Sequence, residues 1–159
     1  MPEKSLSPEE LLAAYRSGPA FLRAAVEDLD ADALRAHPVQ GKWSALEVVC
    51  HVVDCDQFMA DRLKRTIATD KPLLMGVHAD YAGPLRYKDR DLSMDLELLE
   101  LTRRQMAADL GSLPDDAWQR TAVHSENGLV TLVELLDHAV DHLESHAATI
   151  AEKRTALRL

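Results

Sequence analysis

The sequence predicts an all-α fold, a four-helix bundle with a long connection between helices two and three. Apolar residues make up 47% of the chain and aromatic residues only 4%, so Leu, Ala and Val fill the core, which favours helices over strands. Four segments of roughly 17 to 26 residues repeat apolar side chains at helical period and must bury these stripes against one another. The 159 residues suit one domain, which we predict to span residues 1–159.

Helix one is predicted to begin after Ser7 and to end near Leu29. Ser7 is a preferred N-cap, a proline follows at the first helical position, and Glu10 completes a capping box. Gly18 and Pro19 fall inside this helix. Because proline lacks a backbone donor and its ring crowds the preceding turn, we expect a kink or a break there.

Helix two is predicted to begin at Ser44, where Glu47 completes a second capping box, and to end near Thr69. Its apolar residues keep the helical period throughout, and the centre of their stripe lies near Val52. At about 100° per residue, His51 lies at the edge of that stripe. The side chain of His51 is therefore expected at the boundary between core and solvent.

Residues 70–91 form the long connection, since they contain several prolines and glycines and no sustained period. Long irregular loops in compact domains often cover functional sites. Helix three is predicted from Ser93 to Leu110, with Gly111 as its C-terminal stop. A polar loop that contains His124 then leads to helix four.

Helix four is predicted from Thr131 to about Arg154 and carries three histidines. His138, His142 and His146 recur every four residues, so they rise along one side of the helix. His146 lies closest to the centre of the apolar stripe, His142 next and His138 farthest away. If two of the three point into the bundle, they are His142 and His146, while His138 is the surface-side member.

An i, i+4 pair such as His142 and His146 has the spacing at which two histidines chelate one metal ion. A third ligand must then come from another helix. Helices pack about 8–10 Å apart, so His51 is able to share an ion with this pair if helices two and four are neighbours. Spacing alone does not establish that adjacency, and three unrelated boundary histidines without a metal are the alternative.

Residues 41–54, GKWSALEVVCHVVD, followed by residues 131–136, TLVELL, and then by His142 and His146, resemble the DinB/YfiT-like superfamily. The resemblance covers nearly the whole chain. It implies a four-helix bundle in which three histidines hold a divalent metal, one from helix two and two from helix four. At the matching positions of this chain those ligands are His51, His142 and His146.

Three neutral imidazoles around a divalent ion leave a position open, as in catalytic rather than structural sites, where bound water is acidified. Zinc suits this ligand set, and so does nickel. The resemblance implies a metal-dependent thiol S-transferase that joins a low-molecular-weight thiol, such as bacillithiol, mycothiol or glutathione, to a small electrophile. A metal-dependent hydrolase that uses bound water, or a non-catalytic metal- or ligand-binding bundle, is the alternative.

Asp54 and Cys55 follow His51 by about one helical turn and are the candidate catalytic residues. A carboxylate there is placed to orient an imidazole or to transfer a proton, and a thiol is placed to contact the ion. A small buried hydrophobic residue is the alternative for Cys55. Arg62 and Arg65 lie farther along the same flank and could meet an acidic substrate, but we expect both to be solvated.

The formal charge of −9 argues against a nucleic-acid partner, which requires a basic surface. No apolar run approaches the roughly 18 residues of a membrane span, and the N-terminal region lacks the apolar segment of a signal peptide. Cys50 and Cys55 point in different directions on one helix, so no mutual disulfide is expected. These features predict a cytoplasmic protein with a small-molecule substrate, and the resemblance adds a homodimer.

Overall fold

The computed structural model describes residues 6–159 and confirms the four-helix bundle. Five helices are present, α1 (Pro8–Val26), α2 (Ala31–Arg35), α3 (Ala45–Ala68), α4 (Leu92–Gly111) and α5 (Leu132–Leu157). The four long helices form the bundle: α1 and α3 lie diagonally opposite, and each packs against both α4 and α5. The predicted helices two, three and four are α3, α4 and α5. The helices that carry the candidate ligands, α3 and α5, are therefore neighbours.

Helix starts follow the predicted local chemistry. The side chains of Ser7, Ser44 and Thr131 accept hydrogen bonds from the backbone N–H three residues later, and the glutamate at that later position bonds back to the cap. These capping boxes satisfy donors that have no partner within the helix. The start of three of the four long helices is thus fixed by residues that lie three positions apart in sequence.

Of the kink or break predicted at Pro19, the break is wrong, because α1 runs without interruption from Pro8 to Val26. Pro19 cannot donate to the carbonyl of Tyr15 four residues earlier. Arg103 of α4 supplies the missing donor, since its Nη1 lies 3.1 Å from the Tyr15 carbonyl oxygen. A Cβ atom at Gly18 would collide with that same nitrogen. Gly18, Pro19 and Arg103 therefore act together to keep the helix continuous.

The polar loop predicted before α5 is instead a β-hairpin, and it belongs to a three-stranded sheet. Strands β2 (Thr121–His124) and β3 (Gly128–Thr131) are antiparallel, and β1 (Leu73–Leu74) pairs in parallel with β2. Gly128 adopts a φ of 72°, a conformation that glycine accepts without strain. Through β1 the sheet joins the long connection between α3 and α4 to the loop before α5.

A buried ion pair divides the core into two apolar clusters. One cluster includes Val53 of α3 and Leu99 of α4, and the other includes Met59 of α3 and Met106 of α4. Asp56 and Arg103 lie between the two clusters on these helices. The exposed fractions of Arg103 and Asp56 are 1% and 4%. The bundle is thus held together by two apolar layers with one charged layer between them. None of the helices described for residues 6–159 has both the length and the apolar character needed to cross a bilayer.

Candidate metal centre

The three predicted ligands lie together at the junction of α3 and α5. His51 of α3 and His142 and His146 of α5 each present one ring nitrogen, and these three atoms lie within 4.8 Å of one another. The Nε2 atoms of His51 and His146 are 3.2 Å apart. All three side chains are half-buried. The assignment of these residues as ligands stays a prediction, but the adjacency that the sequence left open is present in the fold.

The spacing of the cluster suits one small ion. Bonds of about 2.0–2.1 Å from a tetrahedral zinc ion to imidazole nitrogens place those nitrogens about 3.3 Å apart. The centroid of the His51 ring lies 5.1 Å from the centroid of the His142 ring and 4.5 Å from that of the His146 ring. The His138 ring lies 6.1 Å from the His142 ring between centroids, and His138 is exposed. The cluster therefore contains the pair indicated by the helical stripe and excludes the surface-side histidine.

Burial keeps the imidazoles in the form that binds a metal. It lowers the pKa of His51 to about 4, with a further contribution from His146. It also lowers the pKa of His142 to about 3, with contributions from His146, His51 and His138. The pKa of His146 is also lowered, first by burial and then by the charge of Lys153. At neutral pH the cluster therefore offers uncharged nitrogens, which fits the donor set of a divalent ion that favours imidazole.

The same shifts predict how the stability of the metal-free protein depends on pH. The pKa of a histidine in the unfolded chain is about 6.5, so between pH 6.5 and about 4 the unfolded state binds protons that folded His51 does not bind. Stability is fully present above pH 6.5 and falls as the pH is lowered through this window. We expect the Tm of chelator-treated protein to drop between pH 7 and 4.5, and thermal unfolding followed by circular dichroism measures it.

A matched pair of variants isolates the contribution of the cluster to this pH dependence. His142→Gln removes a histidine with a lowered pKa and is expected to flatten the dependence of Tm on pH. His138→Gln removes an exposed histidine one turn away on the same helix and is expected to change the dependence less, because the three clustered histidines remain in place. Identical profiles for the two variants would contradict this assignment.

A cavity of about 540 Å³ opens beside the cluster, within the range of small-molecule sites. One wall comes from α3 and α5, and the opposite wall from the long connection and the hairpin. These two segments are tied together, because the backbone N–H of Gly76 donates to Ser125 Oγ at 2.9 Å and His78 pairs with Glu126 at 2.7 Å. The long connection thus lies over the site, as its length and composition predict.

A groove of equal volume runs between α1 and α4, but it is lined by arginine, alanine, glutamate and proline side chains and by no histidine. The cavity between the cluster and the sheet is therefore the candidate site for chemistry.

The two candidate catalytic residues have different surroundings. Cys55 lines the cavity, and its Sγ lies 3.7 Å from Nε2 of His51. Burial, reinforced by Asp54, raises the pKa of this thiol to about 11, so it is protonated at neutral pH. Asp54 accepts hydrogen bonds from the Tyr87 hydroxyl at 2.7 Å and from Arg90 at 2.7 and 3.0 Å. Its carboxylate thus holds the long connection against α3.

His124 is a residue of the cavity that was not predicted from the sequence. It ends β2, lines the cavity and is only 7% exposed. Its Nδ1 accepts from the backbone N–H groups of Glu126 and Asn127, which places the ring proton on Nε2. Asn127-Gly128 is a dipeptide typical of tight hairpins and is the sequence signal that could have located this residue.

The chain is similar to YfiT from Bacillus subtilis, described as a probable metal-dependent hydrolase with an unusual four-helix bundle topology. The two share 26% identity with a TM-score of 0.86, over 99% of this chain and 93% of that one. A protein of Oceanobacillus iheyensis, named as a candidate metal-dependent hydrolase, is 24% identical over 132 residues, which are 83% of this chain and 77% of the relative.

A mycothiol-dependent maleylpyruvate isomerase shares the fold, with 16% identity and a TM-score of 0.71. The match covers 90% of this chain but only 60% of the isomerase. The sequence profile of the DinB superfamily matches residues 14–150, which include all three clustered histidines. The chain belongs to the DinB superfamily.

Proposed function

We propose that this protein is a metal-dependent hydrolase of a small molecule, with His51, His142 and His146 as the metal ligands. The observation that carries the proposal is the convergence of three uncharged imidazole nitrogens beside an open cavity of about 540 Å³. Similarity to YfiT, over nearly the full length of both chains, adds support. Of the two activities considered from the sequence, the similarity to YfiT supports hydrolysis over thiol transfer.

A bound divalent ion would supply Lewis acidity, which activates water and polarises a carbonyl or phosphoryl oxygen. Zinc and nickel both suit three imidazoles. The residues of this chain would hold the ion, shape the cavity and move the proton. Burial of the three histidines keeps their nitrogens unprotonated at neutral pH, so no proton has to leave before an ion binds.

His138 is the side chain best placed to transfer a proton within the cavity. The other titratable groups there are already engaged or lack an easily exchanged proton, and they include His124, whose Nδ1 accepts from two backbone N–H groups. The Glu134 carboxylate accepts from the backbone and hydroxyl of Thr131, Glu126 pairs with His78, and Cys55 has a raised pKa. His138 lines the same cavity, next to His142. We assign it the role of general acid and base.

Thiol S-transfer is the second candidate. The cavity has the volume of a typical small-ligand site, so a thiol and an electrophile of modest size could enter together. In that reaction His51, His142 and His146 would hold an ion that lowers the pKa of a thiol, and the cavity would hold the electrophile beside it. The two reactions differ in one measurable respect, because only transfer consumes a thiol.

The experiment that tests the proposal measures turnover by protein loaded with zinc or nickel. A panel of esters, amides and phosphate esters is assayed with and without bacillithiol, mycothiol or glutathione. Hydrolysis without thiol, abolished by chelation and by His142→Ala, is the expected result. His138→Ala should retain the metal and lower kcat by about 100-fold or more, as expected for a lost proton-transfer group.

The other outcomes of this experiment are equally informative. If turnover requires and consumes a thiol, the function is thiol S-transfer and not hydrolysis. Metal binding at the cluster without turnover of any substrate would identify a non-catalytic metal-binding bundle. Full activity in His142→Ala, after circular dichroism has shown that the variant folds, would contradict the assignment of the site.

A further inference from the structure

Arg62 is a charged residue of the cavity whose charge is not balanced by a carboxylate. The guanidinium is half-buried, and its Nη2 donates to the carbonyl oxygen of Met75 at 2.7 Å while Nη1 lies 3.5 Å from Met59 Sδ. Across residues 6–159 no aspartate or glutamate forms a salt bridge with it. Arg65, one turn along α3, is by contrast paired with Asp61 at 2.8 Å.

The position of Arg62 links two compartments. Arg62 lines both the cavity beside the histidines and a smaller cavity of about 190 Å³. Phe58 and Val77 also line both cavities. Leu73 and Met75 contribute apolar surface to the smaller compartment. A ligand that extends from the histidines into that compartment therefore passes the guanidinium.

The guanidinium is held in place yet keeps donors available. Arginine carries five N–H donors, and the contacts with Met75 and Met59 occupy two of them. The bond to a backbone carbonyl fixes its orientation without neutralising its charge. The remaining donors suit the two oxygens of a carboxylate, which arginine binds in a fork-like manner.

His124 adds a neutral donor to the same cavity. Because its Nδ1 accepts from two backbone N–H groups, its remaining ring nitrogen carries the proton. One positive charge and one neutral donor match a singly charged anion. Glu126 and Glu134 also line the cavity and disfavour a phosphate dianion, since like charges repel.

We propose that Arg62 is the anion-recognition residue of this cavity and that the substrate is a small molecule with a carboxylate and an apolar portion. The carboxylate would bind Arg62, the apolar portion would extend past it toward Leu73 and Met75, and the reacting group would lie at the three histidines. Only the position of the reacting group rests on the proposed function. Binding of the carboxylate to Arg62 needs neither a metal nor turnover.

The test compares two ligands of equal shape and different charge, 4-fluorobenzoate and 4-fluorobenzamide, by ¹⁹F NMR titration. The full chain is first treated with a chelator, so that a carboxylate cannot bind through a metal ion. Saturable binding of the benzoate, about tenfold tighter than the amide or more, is the expected result for one charge-assisted pair. Arg62→Gln should abolish this preference.

A matched control is available on the same helix. Lys64 is exposed and reaches Gln105 of α4, so Lys64→Gln removes one positive charge away from the cavity. It should bind the benzoate as the unmodified chain does. Arg62→Lys, which keeps the charge but loses the fork, should show intermediate affinity.

Three results would overturn the proposal. These are no saturable binding by the unmodified chain, unchanged affinity in Arg62→Gln, and equal losses in Arg62→Gln and Lys64→Gln. If Arg62→Gln does not fold, Arg62→Lys decides the question by its affinity for the benzoate, and unchanged affinity would then overturn it. Since all of these measurements use metal-free protein, they stand apart from any failure of the hydrolase assay.

Discussion

Replacement of Arg103 by methionine is expected to lower the free energy of unfolding by about 3–5 kcal/mol, because one partner of a buried ion pair is removed. Asp56 Oδ1 accepts from Arg103 Nη2 at 2.7 Å and from Nε at 2.9 Å. Its other oxygen has no hydrogen-bond partner in the described chain, so the carboxylate depends on Arg103. Urea denaturation of the metal-free protein measures the loss.

The control for this prediction replaces both charges. Asp56→Leu together with Arg103→Met leaves no buried charge, and such exchanges are often close to neutral. We expect the double variant to recover much of the stability lost by Arg103→Met alone. If the double variant is no more stable than the single one, the loss comes from packing rather than from the unpaired carboxylate.

Replacement of Pro19 tests the second role of Arg103, which is to donate a hydrogen bond to the carbonyl of Tyr15. In Arg103→Met the carbonyl of Tyr15 has neither the N–H of residue 19 nor the guanidinium as a donor. Pro19→Ala restores the helical donor, so it should stabilise Arg103→Met more than it stabilises the unmodified chain. The expected difference is about 1–3 kcal/mol, the cost of an unsatisfied buried polar group. Equal effects in both backgrounds would show that Arg103 does not replace the missing helical bond.

His51→Ala and His142→Ala are each expected to weaken metal binding by more than about 100-fold. Loss of a residue that only supports a ligand costs about 10- to 100-fold in affinity, and loss of a ligand removes a metal–nitrogen bond outright. His138→Ala should bind the metal as the unmodified chain does, since His138 lies outside the cluster. Elemental analysis of untagged protein, with competition against a chromogenic chelator, measures both stoichiometry and affinity.

The outcome that would contradict this prediction is equal loss of metal in the three variants. It would mean that the pair on α5 is not His142 and His146. A circular dichroism spectrum of each metal-free variant checks that weakened binding does not come from unfolding. The bundle should tolerate each change, because the apolar clusters on both sides of the Asp56–Arg103 pair remain intact.

The features that the sequence predicted correctly depend on residues close in the chain or on a helical period. Ser44 and Glu47 lie three residues apart, and the resulting capping box sets the start of α3. The angle of His138 from the apolar stripe of α5 indicated its exposure. The grouping of His51 with the α5 pair needed the family resemblance, because helical period does not determine which helices are neighbours.

The features that the sequence did not predict depend on contacts between distant residues. Arg103 and Asp56 lie 47 positions apart, and an arginine within an amphipathic pattern normally indicates a solvated position. Arg62 was expected to be solvated for the same reason, but the long connection folds over it and Met75 binds it. The two-residue strand β1 is too short to show alternation, so its pairing with the hairpin had no pattern in the sequence.

The walls of the cavity differ in how freely they could change during evolution. The histidine cluster stands on two long helices whose packing forms the core, so a change in its position would disturb the whole bundle. The facing wall is a surface loop and a hairpin, where insertions and substitutions are tolerated. Descendants of one ancestor could therefore exchange residues around Gly76 and Asn127 and acquire new substrates, while inheriting the histidine cluster unaltered.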